Sequence, residues 1–225
     1  MKAGFDQQAL IDLFASASAK QGEQLRQAVR QATLGALKGR EMSLKNIRDV
    51  LNSVTKAASA GAAQSSLPAV DVQGMLDSAV AGMDDALLKA VEANRVALQQ
   101  FVDQGVGLQE KQLKKAVDDL EKFEDTLMGA VRKAAGAASA QLGAPWQQVL
   151  DKLQAGGTAS GAQASATAEQ FVDQMQTAMR DTRVAGLKAA QALADSYTAL
   201  VSGVLIGMSD ALQQGGTAPA KKAKR

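Results

Sequence analysis

Val91-Glu92-Ala93-Asn94-Arg95-Val96-Ala97-Leu98-Gln99-Gln100-Phe101-Val102-Asp103-Gln104, running on through Gly105 and Gly107 to Val131, is the stretch on which the fold class turns. Its apolar residues return every three or four positions, the spacing of an amphipathic helix. The second half repeats the pattern. Leu113, Val117, Leu120, Leu127 and Val131 mark one side, while Glu110, Lys114, Asp118 and Lys122 alternate in sign at i,i+4 on the water-facing side. Unbroken, the 41 residues from Val91 to Val131 would make a rod of about 60 Å. Gly105 and Gly107 equally allow the chain to turn back as a hairpin.

Working outward, every long segment reads the same way. A first helix is expected from an Asp6 cap to Gly39, weakened at Gly22 and Gly35, and a second from Ser43, with Leu44, Ile47, Val50, Leu51 and Val54 at helical spacing. Pro68 disfavours helix at the residue before it, which marks a hinge, and Asp71 is the expected cap of the next helix. Pro145 suits the first turn of a short helix ending near Ala155. Gly156-Gly157-Thr158-Ala159-Ser160-Gly161 reads as a flexible loop. With three prolines in 225 residues and abundant Ala, Leu, Gln, Lys and Glu, the fold class is all-α: long amphipathic antiparallel helices in an elongated bundle or coiled-coil-like arrangement. The expected divisions are an N-terminal helical segment (1–60), a hinge (61–70), a central long helix or hairpin (71–142), a short helix with its Gly-rich loop (143–161), a C-terminal helix (162–214) and a disordered basic tail (215–225).

Forty-five alanines against five Phe, one Trp and one Tyr make the apolar faces wide and shallow. The chain contains neither Cys nor His, which removes disulfides, thiolate chemistry and the commonest general base and metal ligand. Asp84-Asp85 and Asp118-Asp119 are adjacent carboxylates, but neighbours on a helix point about 100° apart, so neither pair converges on one atom; both read as solvated surface. Ser196 and Tyr197 lack a base, and no glycine-rich element ends in Gly-Lys-Ser/Thr. The expectation is a non-enzyme without metal or cofactor. The N-terminus shows no apolar secretory core, and the most apolar window, Tyr197 to Met208, is shorter than the roughly 20 residues of a spanning helix. A cytoplasmic protein is expected.

The net charge of +2 is uneven. Lys221, Lys222, Lys224 and Arg225 lie in the tail, so 21 basic residues face 23 acidic ones in residues 1–220, a balance of −2. Such a tail can make weak, nonspecific contact with DNA or an anionic surface. An internal echo links Val54-Thr55-Lys56-Ala57-Ala58 with Val131-Arg132-Lys133-Ala134-Ala135, and Pro68 with Pro145 at the same offset.

From Val91 to Gln100 and along the Gln/Lys/Leu-rich helix after it, the sequence resembles the phasins, small bacterial proteins that coat polyhydroxyalkanoate granules. The resemblance covers about residues 71 to 135 plus the tail; residues 1–60 and 162–214 have no counterpart in it. It implies a granule-associated homo-oligomer that adsorbs to a hydrophobic polymer or lipid-like surface. Leu76, Val80, Met83, Leu87, Val91, Leu98, Leu113, Val117 and Leu120 would then supply the apolar contact. The alternative is a soluble helical-bundle or coiled-coil scaffold whose stripes are satisfied by its own chain or by identical chains, with protein partners only.

Overall fold

The Asp6 carboxylate accepts the Ala9 N–H (3.0 Å) and opens α1 (Gln7–Ser16), and the Ser43 hydroxyl accepts the Asn46 N–H (3.3 Å) and opens α3 (Leu44–Gln64), in a computed structural model of the chain. Both caps follow from the sequence, because a short side-chain oxygen can satisfy an N–H that the first turn leaves free. The structure describes residues 6–17, 21–38, 43–65, 68–103, 110–181 and 200–205; within the helices, the side chains of 69, 70, 101–103, 110–113 and 175–181 lie outside the description. Gly105, Gly107, Ser196, Tyr197 and the tail cations Lys221, Lys222, Lys224 and Arg225 are outside the described residues.

The described residues are helical apart from short connections, with no strand among them. The expected first helix is two. Ala17 takes an extended backbone after α1, the Ser16 hydroxyl turns back to the Asp12 carbonyl (2.7 Å), and α2 starts afresh at Gly22 and runs to Leu37. The remaining helices are α4 (Ala69–Asp103), α5 (Glu110–Ala137), α6 (Ala140–Gly156) and α7 (Ala159–Asp181). The hinge is narrower than expected: α3 continues through Gly61 to Gln64, and α4 begins at Ala69, with Asp71 in its first turn rather than at its cap. Pro145 lies in the second turn of α6, not the first.

Register shows how the helices stack. Gly22 of α2 lies by Ser78 of α4, and Arg26 by Gly82 and Asp85, so α2 and α4 run parallel. Lys152 bonds Asp77 (3.1 Å), Ala159 bonds Asp84 (2.8 Å), and Gln174 bonds Gln99 (3.5 Å), each pair 75 residues apart, so α6 and α7 together follow α4 in parallel. Arg48 and Asn52 of α3 line one groove with Lys122 and Gly129 of α5, and Ser59 and Ala63 line its continuation with Ala137, so α3 and α5 are parallel too. Successive helices reverse; stacked helices agree.

The molecule is therefore a pile of three helical hairpins, α1/α2, α3/α4 and α5 with α6–α7, in which each hairpin lies on the previous one as in a short helical-repeat array. α5 runs against α4, so the two helices are not halves of one long rod, while Gly105 and Gly107 lie outside the described residues. The sequence echo now has a place in space. Val54 and Val131 are both buried, at matching positions on two adjacent parallel helices.

One core joins all seven helices, with Phe14, Trp146 and Phe171 fully buried in it. The shallow stripes made this closure feasible. Where α1 crosses α3, Gly61 lets the Phe14 Cβ and the Ile11 carbonyl approach the α3 backbone; where α2 crosses α4, Gly82 does the same for Arg26 and Val29. A second, smaller cluster seats Val201 and Leu205 of the helical segment 200–205 against Leu34, Ala86, Ala93 and Ala97.

Candidate functional site

Asp84 and Asp85, expected to be solvated, divide their work between two helices. The Asp84 carboxylate accepts the Ala159 N–H (2.8 Å) and the Ser160 N–H (3.0 Å), so a residue of α4 caps the N-terminus of α7. Glu124 of α5 accepts the Thr158 N–H (2.9 Å) and its hydroxyl (3.2 Å), and the Thr158 Oγ1 accepts the Gly161 N–H (2.9 Å). Every N–H that the first turn of α7 leaves without an intrahelical partner thus has an acceptor, and two half-buried carboxylates face the positive end of the helix dipole. The Gly-rich stretch is a built junction rather than a flexible loop. Gly157 holds φ +66°, which favours glycine, its N–H returns to Leu153 (2.8 Å), and a Cβ on Gly161 would collide with Glu124. α7 begins three residues earlier than the sequence places it.

Asp85 points to α2. Arg26 donates from Nε to Asp85 Oδ2 (2.6 Å) and from Nη2 to Oδ1 (2.8 Å), a two-pronged pair. The hydrogen bond first, and the carboxylate charge second, raise the guanidinium pKa above its ordinary value. Asp84 and Asp85 are committed to joints between hairpins, and Glu124 to the joint within the third. Replacing Asp84 or Glu124 by alanine is expected to cost about 1–2 kcal/mol each, measured as the loss in unfolding free energy in urea, with hydrogen exchange accelerated first at the start of α7. A change below a few tenths of a kcal/mol in both variants would mean that water replaces these caps at no cost.

The nine residues assigned to an external apolar contact do not form an exposed face. Leu76, Met83, Leu87 and Val91 are fully buried, Val80, Leu98, Val117 and Leu120 are at most 3% exposed, and the Leu113 side chain lies outside the description. Their stripes are covered by neighbouring hairpins, because α4 is sandwiched in the stack rather than laid on its surface. Asn94, the polar break in the row, is buried and donates to the Ala90 carbonyl of its own helix (2.9 Å). Of the polar row on α5, Lys114 and Lys122 are exposed and Asp118 half-exposed, and the Glu110 side chain is outside the description.

One open feature among the described residues is a groove between the parallel helices α3 and α5. Two connected depressions, of about 510 and 340 Å³, share Asn52 and Lys133 and extend from Leu44 and Lys122 at one end to Leu142 at the other. Ala60, Ala63, Ala130, Ala134, Ala137 and Gly129 line them with side chains too short to fill the space between the helix backbones, and Asn52, Thr55, Ser59 and Thr126 add short polar groups among them. Arg48 and Lys56 stand on the α3 rim, Lys122 and Lys133 on the α5 rim, all exposed, with Asp125 the one acidic lining residue. Among the described residues no group of three or more Asp or Glu is placed to hold a metal ion, and no helix is long and apolar enough to cross a membrane.

A family model described only as a family of unknown function, DUF6781, matches residues 1–214. The chain belongs to DUF6781. No curated protein and no solved structure matches it. In this DUF6781 chain the groove was missed by sequence reasoning, since its cations were counted as ordinary helix surface. The signal lay in the echo: Lys56 and Lys133 occupy the same place in the two repeats, and parallel stacking brings them to one seam.

Proposed function

We propose that this protein is a non-enzymatic helical scaffold that keeps its apolar stripes closed on its own chain and meets protein partners through its surface. The observation that carries this reading is the closure itself. Among the described residues Val172, 36% exposed, is the single large apolar side chain at the surface, so the described helices present no broad apolar face to a hydrophobic body. The convergent carboxylates support the same reading, because Asp84 and Glu124 are engaged with backbone N–H groups and Asp85 with Arg26.

A second reading, the phasin-like coat on polyester granules, is favoured by one feature: the joints are made through Ala and Gly. Hairpins that pack through small side chains, such as Gly82 against Arg26 and Val29, lose less contact on separating than interlocked Leu and Phe would. Separation of the neighbouring hairpins from α4 would uncover Leu76, Val80, Met83, Leu87, Val91 and Leu98 together.

Trp146 separates the two. It is the sole tryptophan and is fully buried in the closed stack, so its emission reports opening. On mixing with protein-stripped polyester particles and with neutral-lipid droplets at high salt, the scaffold keeps its helix content, oligomeric state and Trp146 emission and stays in the supernatant. Co-sedimentation with a red-shifted emission would instead establish a coat that opens on contact, and the scaffold reading would be abandoned.

A further inference from the structure

We propose that the α3/α5 groove is the docking site for an amphipathic helix of another protein, one whose apolar stripe is flanked by carboxylates. This rests on the scaffold reading and names its partner class. The choice of occupant comes from shape and charge together. Along α3 the groove extends from Leu44 to Ala63, about 30 Å, the length of a 20-residue helix, and it runs straight because its walls are two parallel helices. Its lining of alanines, Gly129 and short polar side chains such as Thr55 and Thr126 leaves room for the side chains of a third helix. Docking of an apolar helical face into such a channel is a recurring mode of peptide recognition.

The rims select the sign. Arg48 and Lys56 are two helical turns apart on one side, and Lys122 and Lys133 three turns apart on the other, against the lone carboxylate of Asp125. Acidic residues on both flanks of the incoming helix meet these cations as the charged flanks of a coiled coil meet. A nucleic acid is a poorer fit, since the lining holds no aromatic ring for a base to stack on. An anionic membrane is poorer too, because the large apolar side chain beside Arg48, Leu44, is half-buried against the core rather than raised to enter a bilayer.

The test uses the full chain and a labelled model helix of roughly 20 residues with Leu and Ala on one face and Glu along both flanks, beside a copy with Lys in place of every Glu. Fluorescence anisotropy is expected to show the Glu helix binding at least about tenfold tighter than the Lys helix. Gly129→Leu is the blocking variant: an added Cβ at Gly129 meets nothing within 4 Å, so the side chain enters the groove rather than the core. With helix content and Trp146 emission unchanged, that variant is expected to lose at least about tenfold in affinity, and Lys122→Glu with Lys133→Glu to reverse the preference between the two helices.

Equal binding of the two helices, or binding indifferent to Gly129→Leu, overturns the proposal. So does tighter retention of phosphatidylglycerol vesicles or duplex DNA by the same four cations. Failure of every helix to bind, with the chain still closed in the presence of polyester particles, removes the groove assignment and leaves the scaffold reading standing; opening on the particles removes that reading itself.

Discussion

Trp146→Ala is expected to lower the unfolding free energy by about 3–5 kcal/mol, the range found when a large buried aromatic is truncated. For a chain of this length that is a fall in melting temperature of roughly 6–20 °C. Trp146 is fully buried on α6, and its indole Nε1 donates to the Ser59 Oγ of α3 (3.0 Å), so one side chain fastens the third hairpin to the second. Two terms are removed together. The ring leaves a cavity that helices cannot collapse into without losing their own register, and the N–H loses its partner. The pair of milder variants separates them. Trp146→Phe keeps most of the volume and no longer needs an acceptor, so a cost of about 1–2 kcal/mol is expected. Ser59→Ala keeps the whole ring but strands a buried indole N–H, with an expected cost of about 1–3 kcal/mol despite the loss of a single oxygen. Urea unfolding followed by far-UV circular dichroism serves all three, since the alanine variant has no tryptophan. A Trp146→Ala cost under about 1 kcal/mol would mean that the indole is not packed between the hairpins at all.

The class of the fold was legible because it is written in local periodicity. Asp6 and Ser43 act on N–H groups three residues away, and both were readable. Asp84 and Glu124 act on α7 across 75 and 34 residues, and nothing in their neighbourhood distinguishes them from solvated helix carboxylates. The apolar stripe from Leu76 to Leu98 was identified correctly as apolar, but an amphipathic helix has the same pattern whether it covers a foreign surface or its own neighbours. The difference lies in how many sides are covered. Ala79, Ala86, Ala90, Ala93 and Ala97 are all buried beside the Leu and Val positions, a stripe much wider than one interface needs. Alanine is too common in this chain for that width to have stood out.

Glycine substitutions are expected to split by sign according to whether a neighbouring helix crosses at that point. In an exposed helix interior, Gly→Ala stabilises by about 0.5–1 kcal/mol, because it removes backbone freedom from the unfolded chain. Gly74 and Gly129 are of this kind: both are exposed, and an added Cβ at either meets no heavy atom within 4 Å. Gly61 and Gly82 are not. A Cβ on Gly61 would stand 2.6 Å from the Ile11 carbonyl oxygen and 3.2 Å from the Ala15 nitrogen, and one on Gly82 would stand 2.9 Å from the Val29 Cβ and run into the Arg26 carbonyl. Backbone atoms cannot rotate aside as a side chain can, so α1 must lift from α3, or α2 from α4. Alanine at Gly61 or Gly82 is expected to cost about 1–3 kcal/mol in spite of its better helix propensity, and leucine at Gly82 about 3 kcal/mol or more. The leucine variant should also release Arg26 from Asp85, since that pair is made across the same crossing. Paired urea curves for the four alanine variants read the result directly. All four shifting toward higher stability would show that propensity alone governs these positions and that the hairpins do not approach closely; two rising and two falling is the signature of a stack held at small-residue crossings.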